Sequence, residues 1–272
     1  MPNSATLVQA LGAAFCAILC ALSGMGGGGM MIGARTAAWA KSGGWVNPYV
    51  TDGLVLHLDG LFNAGVEKHE TTPEKWVDLS GSGHDFVNHG VSFDDDSALF
   101  EGGYFDNLDE IQSTDGQTLE YLFTTRRNFL TSNGNIAIVH LDKFAQHFQV
   151  CAFYTWIWSA MASTNEADRT MSRSLLRQYG IAEEWHSMSY SKRNAKVSES
   201  YIDGGPIDIS QLSAGTSYSA YGNGLNTIGC RSDMGMKWVG WKLRSLRYYN
   251  RSLTDEEIAA NNAVDKARFG LT

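Results

Sequence analysis

Residues 237–262 read Lys-Trp-Val-Gly-Trp-Lys-Leu-Arg-Ser-Leu-Arg-Tyr-Tyr-Asn-Arg-Ser-Leu-Thr-Asp-Glu-Glu-Ile-Ala-Ala-Asn-Asn. A strand runs straight into a capped helix. Val239, Trp241, Leu243, Ser245 and Arg247 alternate with Gly240, Lys242, Arg244, Leu246 and Tyr248, the period of a half-buried strand. Asn250-Arg251-Ser252 breaks that period. Thr254 then takes the N-cap position, and Glu257 three residues on completes a capping box. Asp255 and Glu256 put negative charge into the first turn, where the helix dipole favours it.

Working outward, the segment resembles the close of LamG-type, concanavalin A-like jelly rolls. There the last core strand is followed by a Tyr-Asn-Arg-x-Leu-(Ser/Thr)-x-Glu-Glu-Ile helix, matched here by Tyr249, Asn250, Arg251, Leu253, Thr254, Glu256, Glu257 and Ile258. Earlier segments resemble that family in the expected order. Gly53 to Gly60 is similar to its opening strand. Trp76, Asp78, Ser80, Gly81, Gly83, His84 and Asp85 are similar to its Trp-x-Asp-x-Ser-Gly-x-Gly element. Phe86 to Phe93, Ala98 to Phe105, and the hairpin Tyr201-Ile202-Asp203-Gly204 follow in their places. The resemblance spans roughly residues 51–268. It implies an all-β, two-sheet antiparallel jelly-roll sandwich with a short C-terminal helix, and it places Trp76 and Trp241 in the core. It implies no particular activity, because the fold hosts binders, scaffolds and enzymes alike.

The remaining β segments are read from period and turn chemistry. Thr118–Thr124, Asn135–Leu141, His147–Trp158, Trp185–Tyr190 and Val197–Ile202 read as strands, with Asp203-Gly204 suited to a type I′ turn. Residues 165–180 read as a short helix or a loop insertion. Cys151 and Cys230 read as buried thiols rather than a bridge, and nothing has Cys-x-x-Cys spacing.

The first part of the chain is different in kind. Ser4 to Ala34 carries no charge, and Ala5 to Ser23 forms an apolar helical run just long enough to cross a bilayer. Ala21-Leu22-Ser23 has the small residues of a signal cleavage site, but the basic residues that precede such a run are missing. Four glycines, Gly26 to Gly29, read as a flexible joint or as close backbone packing in an assembly. We therefore divide the chain into an apolar signal, anchor or assembly segment (1–34), a linker (35–50) and a LamG-like jelly-roll domain (51–272). Export follows as an expectation: secretion, membrane anchoring, or display on a cell or virion surface. Membrane contact or self-association would run through residues 5–34.

Charge and motifs narrow the chemistry. The 272 residues carry a formal charge of −8, which argues against nucleic acid as a partner, since phosphate binding needs clustered Lys and Arg. Glycosidases of this fold present a Glu-x-Asp-x-x-Glu run on one strand, and none occurs here. There is no Gly-x-Ser-x-Gly elbow and no P-loop. The seven histidines are isolated, and His84 and His89 flank a strand on opposite sides. Asp94-Asp95-Asp96 is a solvated turn or, alternatively, an oxygen-rich calcium site.

Aromatics supply the candidate ligand site. Phe148, Val150, Ala152, Tyr154, Trp156 and Trp158 would share one face of a single long strand. Tyr154, Trp156 and Trp158 then form either core or a platform for the C–H faces of sugar rings, with Trp185 and Tyr190 as further candidates. The leading expectation is a non-catalytic, lectin-type adhesion module for a glycan or a host- or cell-surface ligand. The alternatives are a structural assembly protein that oligomerises through its apolar segment, and a glycoside hydrolase with carboxylates drawn from separate strands.

Overall fold

The structure is a computed structural model that describes residues 45–107, 111, 116–125, 135–141, 148–153, 156–161, 169–172, 184–194, 197–206, 226–230 and 237–272. The apolar segment and its Gly-rich joint lie outside the described residues.

Among the described residues, sixteen strands precede one helix: β1 (Leu54–Asp59), β2 (Lys75–Trp76), β3 (Phe86–His89), β4 (Ser92–Phe93), β5 (Ala98–Glu101), β6 (Tyr104–Asn107), β7 (Gln117–Thr125), β8 (Asn135–Leu141), β9 (Phe148–Phe153), β10 (Trp156–Met161), β11 (Arg169–Ser172), β12 (His186–Asn194), β13 (Val197–Ile202), β14 (Gly205–Pro206), β15 (Asn226–Ile228), β16 (Val239–Tyr249) and the C-terminal helix (Asp255–Phe269). The first sheet has the order β14-β13-β12-β7-β16-β5-β4. There β1 and β5 lie end to end along one edge of β16. The second sheet has the order β11-β10-β9-β8-β15-β6-β3-β2, and every pairing in both sheets is antiparallel. This is the expected two-sheet sandwich.

The core is the inner pleat of both sheets. Leu56, Leu58, Tyr121, Phe123, Trp241 and Leu246 of the first sheet meet Trp76, Phe86, Phe105 and Ile228 of the second, all buried in one apolar cluster. Each side chain of this size contributes roughly 1.5–3 kcal/mol on burial. Trp76 and Trp241 are core residues, as expected.

Local signals hold where turn or cap chemistry is explicit. Thr254 accepts from the Glu257 N–H and Glu257 returns the bond to the Thr254 N–H, and Gly270 closes the helix in the left-handed region. Asp203 and Gly204 both have positive φ, 52° and 81°, as a type I′ turn requires. Arg251 pairs bidentately with Glu257, which ties the strand exit to the first helical turn.

Three expectations need correction. The alternation of β16 does not run through. Its register against β7 slips between Leu243 and Ser245, leaving Arg244 as the extra residue of a bulge. Trp241 and Leu243 therefore face the core, and beyond the bulge so do Leu246 and Tyr248, while Ser245 and Arg247 pass to the opposite face. The long strand expected over 147–158 is instead the hairpin of β9 and β10. Within 165–180, residues Arg169–Ser172 form β11 rather than helix or loop.

The outward face of the first sheet is sealed by the C-terminal helix. Ser187, Ser189 and Ser191 on β12 and Thr118 on β7 are small enough to let the helix approach and polar enough to bond it. Ser187 Oγ–H donates to Asn262, and Thr118 Oγ1 accepts from the Leu253 N–H. Beneath the helix lies a buried ionic network. Arg247 is bidentate to Asp265, at 2.9 and 2.6 Å, and reaches Glu120 at 3.1 Å. Asn261 donates to Glu120 and to the Tyr249 hydroxyl. Arg268 donates to Asp59 at 2.6 Å. Tyr49 donates its hydroxyl to Asp265 at 2.7 Å, with the Arg247 guanidinium 3.9 Å above its ring. The packed body therefore reaches back before residue 51 into the stretch read as linker.

Burial dominates the electrostatics of this network. It pushes the Glu120 carboxyl up, and Arg247 and Asn261 only partly offset it. At Asp59 burial also pushes up, but Arg268, His57 and the Leu61 N–H outweigh it, and the net shift is down. Arg247 is held well above its ordinary value: burial opposes the charge, and Asp265, Tyr49 and Glu120 more than restore it.

Candidate functional site

The outward face of the second sheet is built differently. Phe86 of β3 and Phe105 of β6 point into the core, so Val87, His89, Tyr104 and Asp106 occupy the other side of the pleat. Val87 stands opposite Asp106, and His89 opposite Tyr104. The His89 and Tyr104 rings are stacked, with centroids 4.5 Å apart and planes 12° from parallel. His89 Nε2 lies 3.0 Å from the Asp106 carboxylate, and Lys237 Nζ lies 4.9 Å from the Tyr104 ring centroid. His89 is exposed and Val87 is 49 % exposed. Burial, Asp106 and Cys230 together raise the Tyr104 phenol, so its hydroxyl stays protonated at neutral pH and can both donate and accept. The cluster thus offers aromatic surface, a hydroxyl, a carboxylate and an ammonium within one patch.

Register carries this face across the sheet. Asp106 is in line with Thr227, Thr227 with His140, His140 with Gln149, and Gln149 with Ala160. Two and four residues from Ala160 along β10 come Trp158 and Trp156, which therefore hold register positions on the same sheet face as Tyr104 and Asp106. The hairpin is what puts them there. Trp158 pairs with Cys151 and Trp156 with Phe153, so both tryptophans fall on the opposite face from Phe148, Val150 and Ala152, with which a single strand would have grouped them.

The other candidates scatter. Tyr154 lies outside the described residues. Tyr190 is 3 % exposed and near-parallel to Tyr121 inside the sandwich, so it belongs to the core and not to a platform. Trp185 is half-buried beside the first sheet, with the Arg244 guanidinium 3.8 Å from its ring. It shares no face with Trp156 and Trp158. In the acidic turn, Asp94 accepts from Ser97 and from Lys242, and Asp96 pairs with Arg244 at 2.9 Å, while Asp95 is exposed. Burial raises the Asp96 carboxyl against the pull of Arg244, whereas Ser97 and Lys242 bring Asp94 down despite burial. Two of these three carboxylates are thus ion-paired to β16.

Sequence reasoning missed His89 and Tyr104 as a pair. The only available signal was the alternation Tyr104-x-Asp106. Placing His89 opposite Tyr104 requires the register of two strands joined through residues 90–103.

No family model and no curated protein matches the chain. Its fold is similar to solved receptor-binding domains of botulinum neurotoxins. The serotype D ligand binding domain, solved with N-acetylneuraminic acid, aligns over 84 % of this chain and 52 % of that one at 12 % identity, TM-score 0.58. The binding domain of neurotoxin DC, solved with rat synaptotagmin II, aligns over 79 % and 52 % at 11 % identity, TM-score 0.56. The receptor binding domain of the C/D mosaic serotype aligns over 78 % and 51 % at 12 % identity, TM-score 0.56. This chain spans about half the length of those solved chains. At such identity the likeness establishes the two-sheet β sandwich, and the LamG resemblance rests on the sequence motifs alone.

Proposed function

We propose that this protein is a non-catalytic recognition module, exported or displayed, that binds a carbohydrate or cell-surface ligand on the outward face of its second sheet. One observation carries the reading: the stacked His89–Tyr104 pair, flanked by Asp106 and Lys237, stands on the same sheet face as Trp156 and Trp158. Aromatic rings beside orienting polar groups are what sugar C–H faces and hydroxyls require. The carboxylates Glu120 and Asp265 approach one shared arginine, but beneath the helix, with no opening to a substrate. Solved neighbours whose names record a sugar or a receptor are in keeping with this reading.

The test is a glycan array together with cell-surface binding, comparing the unmodified chain with Tyr104→Ala and Trp158→Ala. Selective binding that falls at least about tenfold in both variants is expected. Absence of any ligand, or equal binding by all three proteins, would overturn the proposal.

A further inference from the structure

His57 occupies an unusual position. It is fully buried on the outward side of β1, between the segment Trp45–Tyr49 and the ionic network. Its Nδ1 accepts a hydrogen bond from the side-chain amide of Asn47 at 3.0 Å. That amide cannot turn over without loss, because its oxygen accepts the Tyr49 N–H at 3.2 Å. A proton on Nδ1 would therefore set two donors face to face. The other ring nitrogen offers no relief as placed: Nε2 lies 3.7 Å from Asp59, beyond hydrogen-bonding distance, and that carboxylate is already held by Arg268 and the Leu61 N–H.

The charged and titratable surroundings come from every packed element. Arg247 stands opposite His57 across the strand pair, Arg268 and Asp265 come from the helix, Asp59 shares β1, and the Tyr49 ring meets the imidazole edge-on at 5.0 Å. Asp78 binds the His57 backbone N–H. Burial, then Arg247 and Arg268, disfavour the imidazolium, and Asp59 only partly opposes them, so the basicity of His57 is lowered.

We propose that His57 is an acid-sensitive bolt: as neutral imidazole it holds residues 45–50 against the sandwich, and protonation releases them. These residues join the first part of the chain to the β body, so mild acid would free that joint while the sheets stay intact. The sign follows from the lowered basicity. The closed form binds fewer protons than the open form, so closure is fully stabilised above the ordinary histidine value of about 6.5 and weakens as pH falls below it.

Amide hydrogen exchange on the full chain tests this directly, because the Tyr49 and Val50 N–H groups bond to the side chains of Asn47 and Asn261. Below about pH 6.5, protection at these two amides is expected to drop by up to about tenfold per pH unit, while β7 keeps its protection. In His57→Gln the dependence should vanish over pH 7.5–5.5. Constant protection in the unmodified chain, a parallel loss in β7, or an unchanged slope in His57→Gln would each overturn the bolt. If that variant does not fold, an imidazole NMR titration of the unmodified chain decides. His57 titrating with an exposed histidine's ordinary midpoint sinks the proposal, and His57 staying neutral well below that midpoint supports it.

Discussion

The two outward faces of the sandwich follow the same pleat and end as opposites. On the first sheet, Glu120, Ser189, Ser245 and Arg247 lie under the C-terminal helix, and their charges are satisfied in a sealed layer. On the second, Val87, His89, Tyr104 and Asp106 meet solvent. Buried ions neutralise each other and specify how one element docks. Exposed rings and polar groups remain available to something else. Exposure, more than residue type, separates scaffold from candidate site in this protein.

The comparison breaks most visibly at Asp265. Asp265→Ala strands Arg247 and Tyr49 without their shared carboxylate. It is expected to cost about 3–5 kcal/mol by denaturant unfolding, the usual result of leaving a buried charge unpaired. A cost below 1 kcal/mol would show that the layer is wetter than described. Next in size is the cap. Thr254→Ala should lose about 1 kcal/mol and lower helix protection first at Asp255 to Ile258. On the open face, Tyr104→Ala should change stability by less than either while removing most ligand binding. A large loss of stability there would make the stack structural instead. Smallest of all, Lys242→Ala removes a half-exposed ion pair with Asp94 and should stay within about 1 kcal/mol.

Acid sharpens the same contrast. The Asp59 carboxyl is lowered in the folded protein, so it stabilises the fold above the ordinary carboxylate value of about 4 and that contribution fades as pH falls below it. Glu120 is raised, so its linkage runs the other way, and protonation in mild acid relieves its burial. Asp59→Asn should flatten the acid limb of the stability curve, and Glu120→Gln should steepen it. Identical limbs in the two variants would refute the assignment.

Most of the fold was legible because its signals are local. Asp203-Gly204 fits only a tight reverse turn, and Thr254 with Glu257 fits only a helix start. The features that escaped are those with no local marker. β9 ends at Phe153 and β10 begins at Trp156, inside a run of strand-forming residues with no Gly, Pro, Asn or Asp to announce a break. The bulge of β16 against β7 falls on Arg244, a residue with no turn preference. The ionic layer joins residues as distant as Asp59 and Arg268, and composition reports only that such charges exist. The candidate site was half legible: aromatics were suspected, but the face they occupy was set by a hairpin, and His89 with Tyr104 by a cross-strand register.

The surplus residue in β16 also says which change of length the strand can absorb. Losing the codon for Arg244 would leave Leu243 opposite Phe123 and Ser245 opposite Leu122 in unbroken alternation, with Leu246 and Tyr248 still inward and Arg247 still outward. The Asp96 ion pair, the Trp185 contact and the Gly60 N–H bond to the Arg244 carbonyl would go. A codon gained in the regular stretch beyond it would do the reverse, turning Leu246 and Tyr248 outward and Arg247 towards Tyr121 and Phe123. This strand should therefore tolerate a one-residue loss at Arg244 far better than a one-residue gain after it.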